Sequence, residues 1–544
     1  MQHIDLIMRF VFAAIGAVLL IICSEKPLQI LQLSSYKKKG YIAWFKKTKY
    51  EYARRYALLA IFSIAFMAVW WALFSSIAGA IYIGFIGFIV LGVLFVIASK
   101  KTPQKTPLVY TKRVWRLTIA ACILHFGVLF GLLSLGLLTP IYFVSFSASF
   151  YALSAIAYFL IPFTVLLAHI ILVPIEKAIQ NSYKKRAVRK LKNYPNLIKI
   201  GIAGSYGKTS AKNVLAEFLR QKFKVVATPK SYNTPMGICK TISEMEEELA
   251  AADFFIVELG ERQLGDIKEL TDMIKPQFGI LTAIGNQHLE SFGSLENIEK
   301  GIYELIDSLP RDGHAFFNGD NAPIKDRLFD KCLIGKTMSA KDKVEGAMVT
   351  YRDGSTSKEG TNFTLVYNYD SISVTTPLLG KHIPSLLTLC AACALHFGVS
   401  LEEIAVAAKN LQPVPHRLQL IDRGDTVILD DAYNANPEGA KAALEILEKL
   451  EGAKIVVTPG MVELGKEEEN VNRQFGRDIA KHADYAILNS SRAVWIRQGC
   501  IESGMDESKV FVVDSLTQAM ERIAKIDSAK KAILFENDLP DNMS

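Results

Sequence analysis

Acidic side chains are nearly missing from the first third of this chain, although its 544 residues together hold 54 Asp and Glu against 62 Lys and Arg. A segment that apolar and that poor in acids does not read as part of a water-soluble core, and the length alone points to about three units. Cysteine is scarce as well. Cys23, Cys122, Cys239, Cys332, Cys390, Cys393 and Cys500 form no disulfide framework, and most fall where thiols are expected to stay reduced. Cys390 and Cys393 have no second pair at zinc spacing and stand in an Ala/Leu-rich helical stretch, so they read as buried helix cysteines. The net charge of +8 sits in short loops between apolar runs rather than on one face of a folded domain, which argues against nucleic acid and for a membrane surface.

Five apolar stretches reach the roughly 20 residues that a membrane-spanning helix needs: Ile4–Cys23, Tyr56–Ile77, Ala80–Ser99, Leu117–Leu138 and Phe150–Val173. No small-residue cleavage site follows the first, and four more come after it, so it reads as an anchor rather than a signal peptide. Short loops rich in Lys and Arg stay on the cytoplasmic side. Residues 24–55 carry Lys37 to Lys39, Lys46, Lys47, Lys49, Arg54 and Arg55; residues 100–116 carry six more basic groups; Lys184, Lys185, Arg186, Arg189 and Lys190 follow the last span. With five spans, these segments share one side only if the N-terminus lies outside and everything after Val173 lies in the cytoplasm. The expectation is therefore a multi-pass protein of the plasma (inner) membrane, in contact with lipid. His125 and His169, with no acid or Arg in the spans beyond Asp5 and Arg9, make a poor proton relay and read as helix packing or interfacial groups.

From Leu197 the pattern changes to short β-branched runs alternating with amphipathic helices. IKIGIA, KVVAT, DFFIVEL and FGILTAI alternate with helices from about Lys208, over Met236–Leu249 and over Gly265–Ile274. A second set follows Pro413: TVILDD, a helix over Glu438–Leu450, KIVVTPG, a helix over Lys466–His482, YAILN, VFVVD and KAILFEN. Such alternation predicts parallel sheets with helices on both faces. The fold class expected is an N-terminal α-helical transmembrane region (1–180), then an α/β P-loop ATPase domain (195–411) and a Rossmann-like α/β domain (412–544), divided where LQPVP breaks a helix.

The strongest local signal is Gly201-Ile-Ala-Gly204-Ser205-Tyr206-Gly207-Lys208-Thr209-Ser210, where a strand ends and a helix begins. Glycines let backbone N–H groups wrap phosphate oxygens, and the helix N-terminus adds a positive dipole end. Lys208 is placed to neutralise the β- and γ-phosphates of ATP and the Thr209 hydroxyl to ligate Mg²⁺. The spacing departs from a strict Walker A, since the earlier glycine precedes Gly207 by six residues. Glu258, at the carboxyl end of DFFIVE one βα unit further on, stands where a Mg²⁺ ligand is expected.

At this point the residues resemble the Mur ligases, and among them the MurF type, over roughly residues 195–540. GIAGSYGKTS resembles the family's ATP loop and TPKSYNTPMG the loop that follows it. VELGERQLGDI, NQHLESFGSLENI, FFNGDNAP and DDAYNANPEGAKAAL resemble four further blocks, in the family's order. The resemblance implies that ATP phosphorylates a substrate carboxylate and that an amine, of an amino acid or dipeptide, attacks the acyl phosphate to give an amide, ADP and phosphate. It also implies that Lys208, Glu258 and His288 act in catalysis, and that Thr209, Glu258 and His288 hold Mg²⁺. Gly204 to Ser210, Asn318, Asp320, Arg417, Asp431, Tyr433 and Asn434 would surround the nucleotide.

Four departures stand beside this. The family's lysine fourteen residues after the histidine is Ile302 here, with Lys300 two positions out of register. The asparagines of a Gly-x-His-Asn-x-x-Asn segment beside adenine are replaced in Gly380-Lys-His382-Ile383-Pro384-Ser385-Leu386. The chain ends ENDLPDNMS in place of a Lys-Gly-Ser-Arg pattern. The soluble UDP-sugar-binding domain is replaced by the apolar spans, which leaves a nucleotide-linked or lipid-linked carboxylate acceptor open. Two other readings are a P-loop ATPase driving membrane transport or switching and a degenerate, non-catalytic subunit. Oligomeric state is not legible.

Overall fold

The computed structural model describes residues 2–49, 93, 106–135, 144–327, 335–433, 435–462 and 464–537, and the chain divides into two compact units near residue 179. In the first, the apolar runs are helices: Gln2–Cys23, bent by 48° into Glu25–Leu33, then Lys112–Leu135 and the 49-residue Val144–Lys192. Among the described residues, two helices are long and apolar enough to cross a membrane, or three if the bent pair is one span. The expected spans Tyr56–Ile77 and Ala80–Ser99 lie outside the described residues. Polar contacts join the described helices: His125 Nε2 lies 2.6 Å from Thr164 Oγ1, and Arg116 makes a bidentate pair with Glu176 at 2.6 and 2.9 Å. The Thr164 hydroxyl also donates to the Ile161 carbonyl of its own helix at 2.9 Å, which leaves its lone pairs for the imidazole.

The second unit holds two sheets. The first contains nine strands in the order β2-β3-β1-β4-β5-β6-β7-β8-β9. These are β1 (Ile198–Ala203), β2 (Val225–Ala227), β3 (Phe254–Glu258), β4 (Phe278–Leu281), β5 (His314–Asn318), β6 (Gly335–Lys341), β7 (Val349–Ser357), β8 (Gly360–Tyr367) and β9 (Asp370–Thr376). Pairing is parallel through β7, whereas β7, β8 and β9 form an antiparallel meander. All five residues of β3 are buried. Phe255 and Val257 join a core on one face, and Phe254 and Ile256 a core on the other. Continuous apolar runs are what a sheet covered on both faces requires.

The second sheet has the order β10-β11-β15-β12-β13-β14. Its strands are β10 (Gln419–Asp422), β11 (Thr426–Asp431), β12 (Ala453–Thr458), β13 (Tyr485–Leu488), β14 (Val510–Val512) and β15 (Lys531–Glu536), parallel except for β10. Most helices fall where periodicity places them. Met236–Leu249 is an exception: it forms two helices, Pro235–Glu244 and Glu246–Ala251, because the chain leaves helical geometry at Met245. Cys390 and Cys393 are fully buried on the helix Ile383–His396, with Cys390 Sγ 3.5 Å from the Ala211 carbonyl.

Candidate active site

β1 ends at Ala203 and the helix Lys208–Leu219 begins at once, so residues 204–207 must reverse the chain within four positions. Gly204 has φ +145°, and a Cβ there would stand 2.2 Å from Thr282 Oγ1; Gly207 caps the helix with φ +78°. Only glycine meets both demands. The loop is tied to the segment after β4: Ser205 N donates to the Ala283 carbonyl at 2.7 Å, and Ser205 Oγ both donates to Gly285 O and accepts from Gly285 N at 3.1 Å. Tyr206 fills the space beside Gly285, where a Cβ would meet its ring at 2.4 Å.

Two lysines project from one turn of this helix, four residues apart. Lys208 Nζ donates to Glu261 Oε1 at 2.9 Å and to the Gly204 carbonyl. Lys212 Nζ donates to Glu258 Oε2 at 3.2 Å and to the Lys230 carbonyl. The other oxygen of Glu258 accepts from Asn233 Nδ2 at 3.0 Å, so both oxygens of the expected Mg²⁺ ligand are engaged. Burial pushes the Lys212 ammonium below its ordinary value, against the pull of Glu258. Burial likewise raises the Glu261 carboxyl, opposed by Lys208 and by the charge of His288. His288 has φ +59° at the start of the turn Leu289–Phe292. That turn is fixed to the Glu261 segment because Ser291 Oγ donates to the Arg262 carbonyl at 2.6 Å.

The C-terminal sheet reaches the same loop. Arg417 Nη2 lies 3.4 Å from Thr209 Oγ1, and its guanidinium stacks 4.4 Å from the Tyr433 ring. The Tyr433 hydroxyl donates to Ser231 Oγ at 2.7 Å. Between these elements lies a cleft of about 940 Å³. Tyr206, Gly207, Ser210, Asn318, Arg417 and Asp431 stand among its walls. Asn318 accepts from Ser385 Oγ at 3.0 Å and donates to the Thr282 carbonyl at 2.8 Å, and Asp320 Oδ1 accepts from Lys341 N at 2.8 Å. Burial lifts the Asp431 carboxyl to about 6. Asn434 lies outside the described residues. Ile302 is fully buried in a core cluster, and Lys300 pairs with Glu296 at 2.7 Å on an exposed helix face.

Sequence reasoning passed over Lys212 and Glu261. Lys212 had a usable signal, four residues beyond Lys208 on the same helix face, whereas Glu261, past the end of β3, had none of that kind. For Mg²⁺, the donor set is the right kind: a buried hydroxyl at Thr209 and buried carboxylates at Glu258 and Glu261, one of them with an oxygen that no group satisfies. Hard oxygen donors beside a phosphate loop suit that ion.

A P-loop α/β domain whose helix start is met by an arginine from a second α/β domain has the parts of a two-domain phosphoryl-transfer site. Comparison with known proteins agrees. The Mur ligase middle domain matches residues 202–395, and the Mur ligase glutamate ligase domain matches residues 416–535. The UDP-N-acetylmuramoyl-tripeptide–D-alanyl-D-alanine ligase of Bacillus subtilis is 32% identical over 346 residues, 62% of this chain and 72% of that protein. Its Escherichia coli counterpart is 29% identical over 334 residues, 60% of this chain and 72% of that one. MurF from Acinetobacter baumannii shares the fold at a TM-score of 0.59 and 23% identity, covering 66% of this chain and 77% of that one. MurF from Thermotoga maritima, solved in complex with ADP, does so at 0.57 and 22%, covering 66% and 80%. The chain belongs to the Mur ligase family and is a MurF-type, ADP-forming acid–amino-acid ligase.

Proposed function

We propose that this chain is a membrane-anchored ligase of cell-envelope precursor synthesis, extending a peptidoglycan precursor. A carboxylate oxygen of the acceptor attacks the γ-phosphorus of ATP and ADP leaves. The amine nitrogen of an amino acid or dipeptide then attacks the acyl carbon, phosphate leaves, and the nitrogen gives up a proton. The relatives' names supply the first acceptor and amine to consider: a UDP-N-acetylmuramoyl tripeptide and D-alanyl-D-alanine.

The single observation that carries this reading is the convergence of Arg417 on Thr209 at the start of the phosphate-loop helix. Phosphoryl transfer is catalysed mainly by positioning and charge neutralisation. In this reading the loop amides of Gly204 to Ser210 hold phosphate oxygens, and Lys208 leaves Glu261 to reach them. Asn318 and Asp320 border the nucleotide, and Arg417, Asp431, Tyr433 and Asn434 close over it from the C-terminal domain, divided from the ATP domain near residue 412. Thr209, Glu258 and His288 would hold Mg²⁺, which would supply further charge neutralisation when bound. The N-terminal helices, which include two of spanning length among the described residues, anchor the ligase with its N-terminus outside and its catalytic domains on the cytoplasmic side.

The test uses the full chain in detergent with ATP, Mg²⁺ and either UDP-muramoyl tripeptide or its lipid-linked relatives. D-Alanyl-D-alanine, single amino acids or ammonia serve as amines, and products are read by mass spectrometry. An amide product with one ADP per bond is expected, and its absence with every pair, or a carboxyl-terminal tag found outside the cell, would overturn the proposal.

A further inference from the structure

Glu261 is the least accounted-for charge beside the phosphate loop. Its side chain is 2% exposed. One oxygen accepts from Lys208 at 2.9 Å, and the other, Oε2, is buried with no hydrogen-bond partner among the described residues. An unsatisfied carboxylate oxygen in that setting is destabilising unless something binds it. Both oxygens of the neighbouring Glu258 are already occupied, by Lys212 and Asn233. When Lys208 turns to a triphosphate, Glu261 loses its one cation while remaining enclosed. Some positive charge must then replace it.

We propose that Glu261, through Oε2, is a ligand of a divalent cation that enters with the nucleotide, and that without nucleotide the same carboxylate holds Lys208 back from the phosphate position. The surroundings suit a cation. The turn that carries His288 is pinned to the Glu261 segment by Ser291, whose hydroxyl donates to the Arg262 carbonyl at 2.6 Å. Among the described residues, no three His, Cys, Asp or Glu side chains converge as a complete metal site. Positions that Glu261 and the side chains named for Mg²⁺ above leave open would fall to phosphate oxygens and water, as is usual for that ion. Ile302 is apolar and buried, and Lys300 is paired with Glu296.

The inference rests on the reading that the loop binds ATP, and its test separates the two. Mn²⁺ binding to the purified full-length chain is followed by electron paramagnetic resonance with a non-hydrolysable ATP analogue, in wild type, Glu261→Gln and Glu261→Asp. Glu261→Gln should raise the Mn²⁺ dissociation constant by about 10–100-fold, and Glu261→Asp, which keeps the charge, by less. With metal removed by EDTA, Glu261→Gln should bind the analogue at least as tightly as wild type, because Lys208 is released. Equal Mn²⁺ binding in Glu261→Gln and wild type would overturn the assignment while leaving the ATP site intact. Equal losses in the Gln and Asp variants would also overturn it, since shape and not charge would then matter. Failure of wild type to take up the analogue with Mn²⁺ would overturn both readings.

Discussion

The ammonium of Lys212 and the carboxylate of Glu258 lie 3.2 Å apart with 1% and 2% of their side chains exposed, a charge pair sealed under the phosphate loop. Removing one member of such a pair leaves the other buried without a counter-charge, at about 3–5 kcal/mol. Lys212→Met should therefore lower stability by that amount, and Lys212→Met combined with Glu258→Gln should recover much of it. Thermal unfolding of the full chain measures both, and additive losses would contradict the pairing.

Arg417, stacked on the Tyr433 ring of its own domain, joins the two α/β domains through Thr209. Arg417→Ala should lower kcat/KM for ATP by about 10²–10³-fold, the usual effect of losing a preorganised donor at a reacting phosphate or oxyanion. Arg417→Lys should not restore it, because an ammonium lacks the planar fork that donates and stacks at once. Steady-state ADP release reads the outcome; full activity in the Lys variant would show that charge alone is used.

Gly204→Ala should disable the loop. The backbone conformation at φ +145° is strained for any L side chain, by about 1–3 kcal/mol, and the new methyl would meet Thr282 Oγ1. The expected result is loss of nucleotide binding with little change in the far-ultraviolet circular dichroism, since the surrounding strands and helix keep their own cores.

Asp431 and Glu536 stand in register on adjacent parallel strands β11 and β15. Burial lifts Asp431 to about 6, and burial together with Asp431 lifts Glu536 well above the usual carboxylate range. Among the described residues, neither oxygen of Glu536 has a hydrogen-bond partner. A carboxyl with a raised folded-state pKa binds a proton that the unfolded chain releases, so its contribution is full below the ordinary pKa of about 4 and fades as pH rises through the folded value. Glu536→Gln removes that dependence. Its melting temperature should gain on wild type as pH is raised from about 4 through 6 and beyond; a constant difference across the series would contradict this.

Ile302→Lys tests whether the family's missing lysine can be restored by one change. Ile302 is 0% exposed within the core, where an unpaired ammonium costs several kcal/mol. Melting should fall and ADP release at low Mg²⁺ should not rise; a faster rate would mean that this position faces the phosphates after all.

Much of this was legible in the linear chain. Parallel strands covered on both faces are continuous apolar runs, so IKIGIA and DFFIVE announce themselves, and a glycine-rich turn before Lys208 can serve few other purposes. The meander β7–β9 was not legible, because its alternating polar surface strands carry no crossover helix to mark them. Glu261 and Lys212 were passed over for a related reason: a charged residue near a motif is usually solvated, and only the packed structure reveals burial. Asn318 and Asp320 were legible through the family resemblance, whereas the contact of Ser385 with Asn318 needed the fold to bring β5 and the helix Ile383–His396 together.

The sequence by itself determined that an apolar region precedes two α/β domains and that a phosphate loop opens the first, because these follow from local periodicity and from the stereochemistry of glycine. Only the tertiary structure decided which charges face each other around that loop. Lys208 against Glu261, Lys212 against Glu258 and Arg417 against Thr209 are pairs set by packing between elements 46 to 208 residues apart, and no local rule of chain geometry reaches that far.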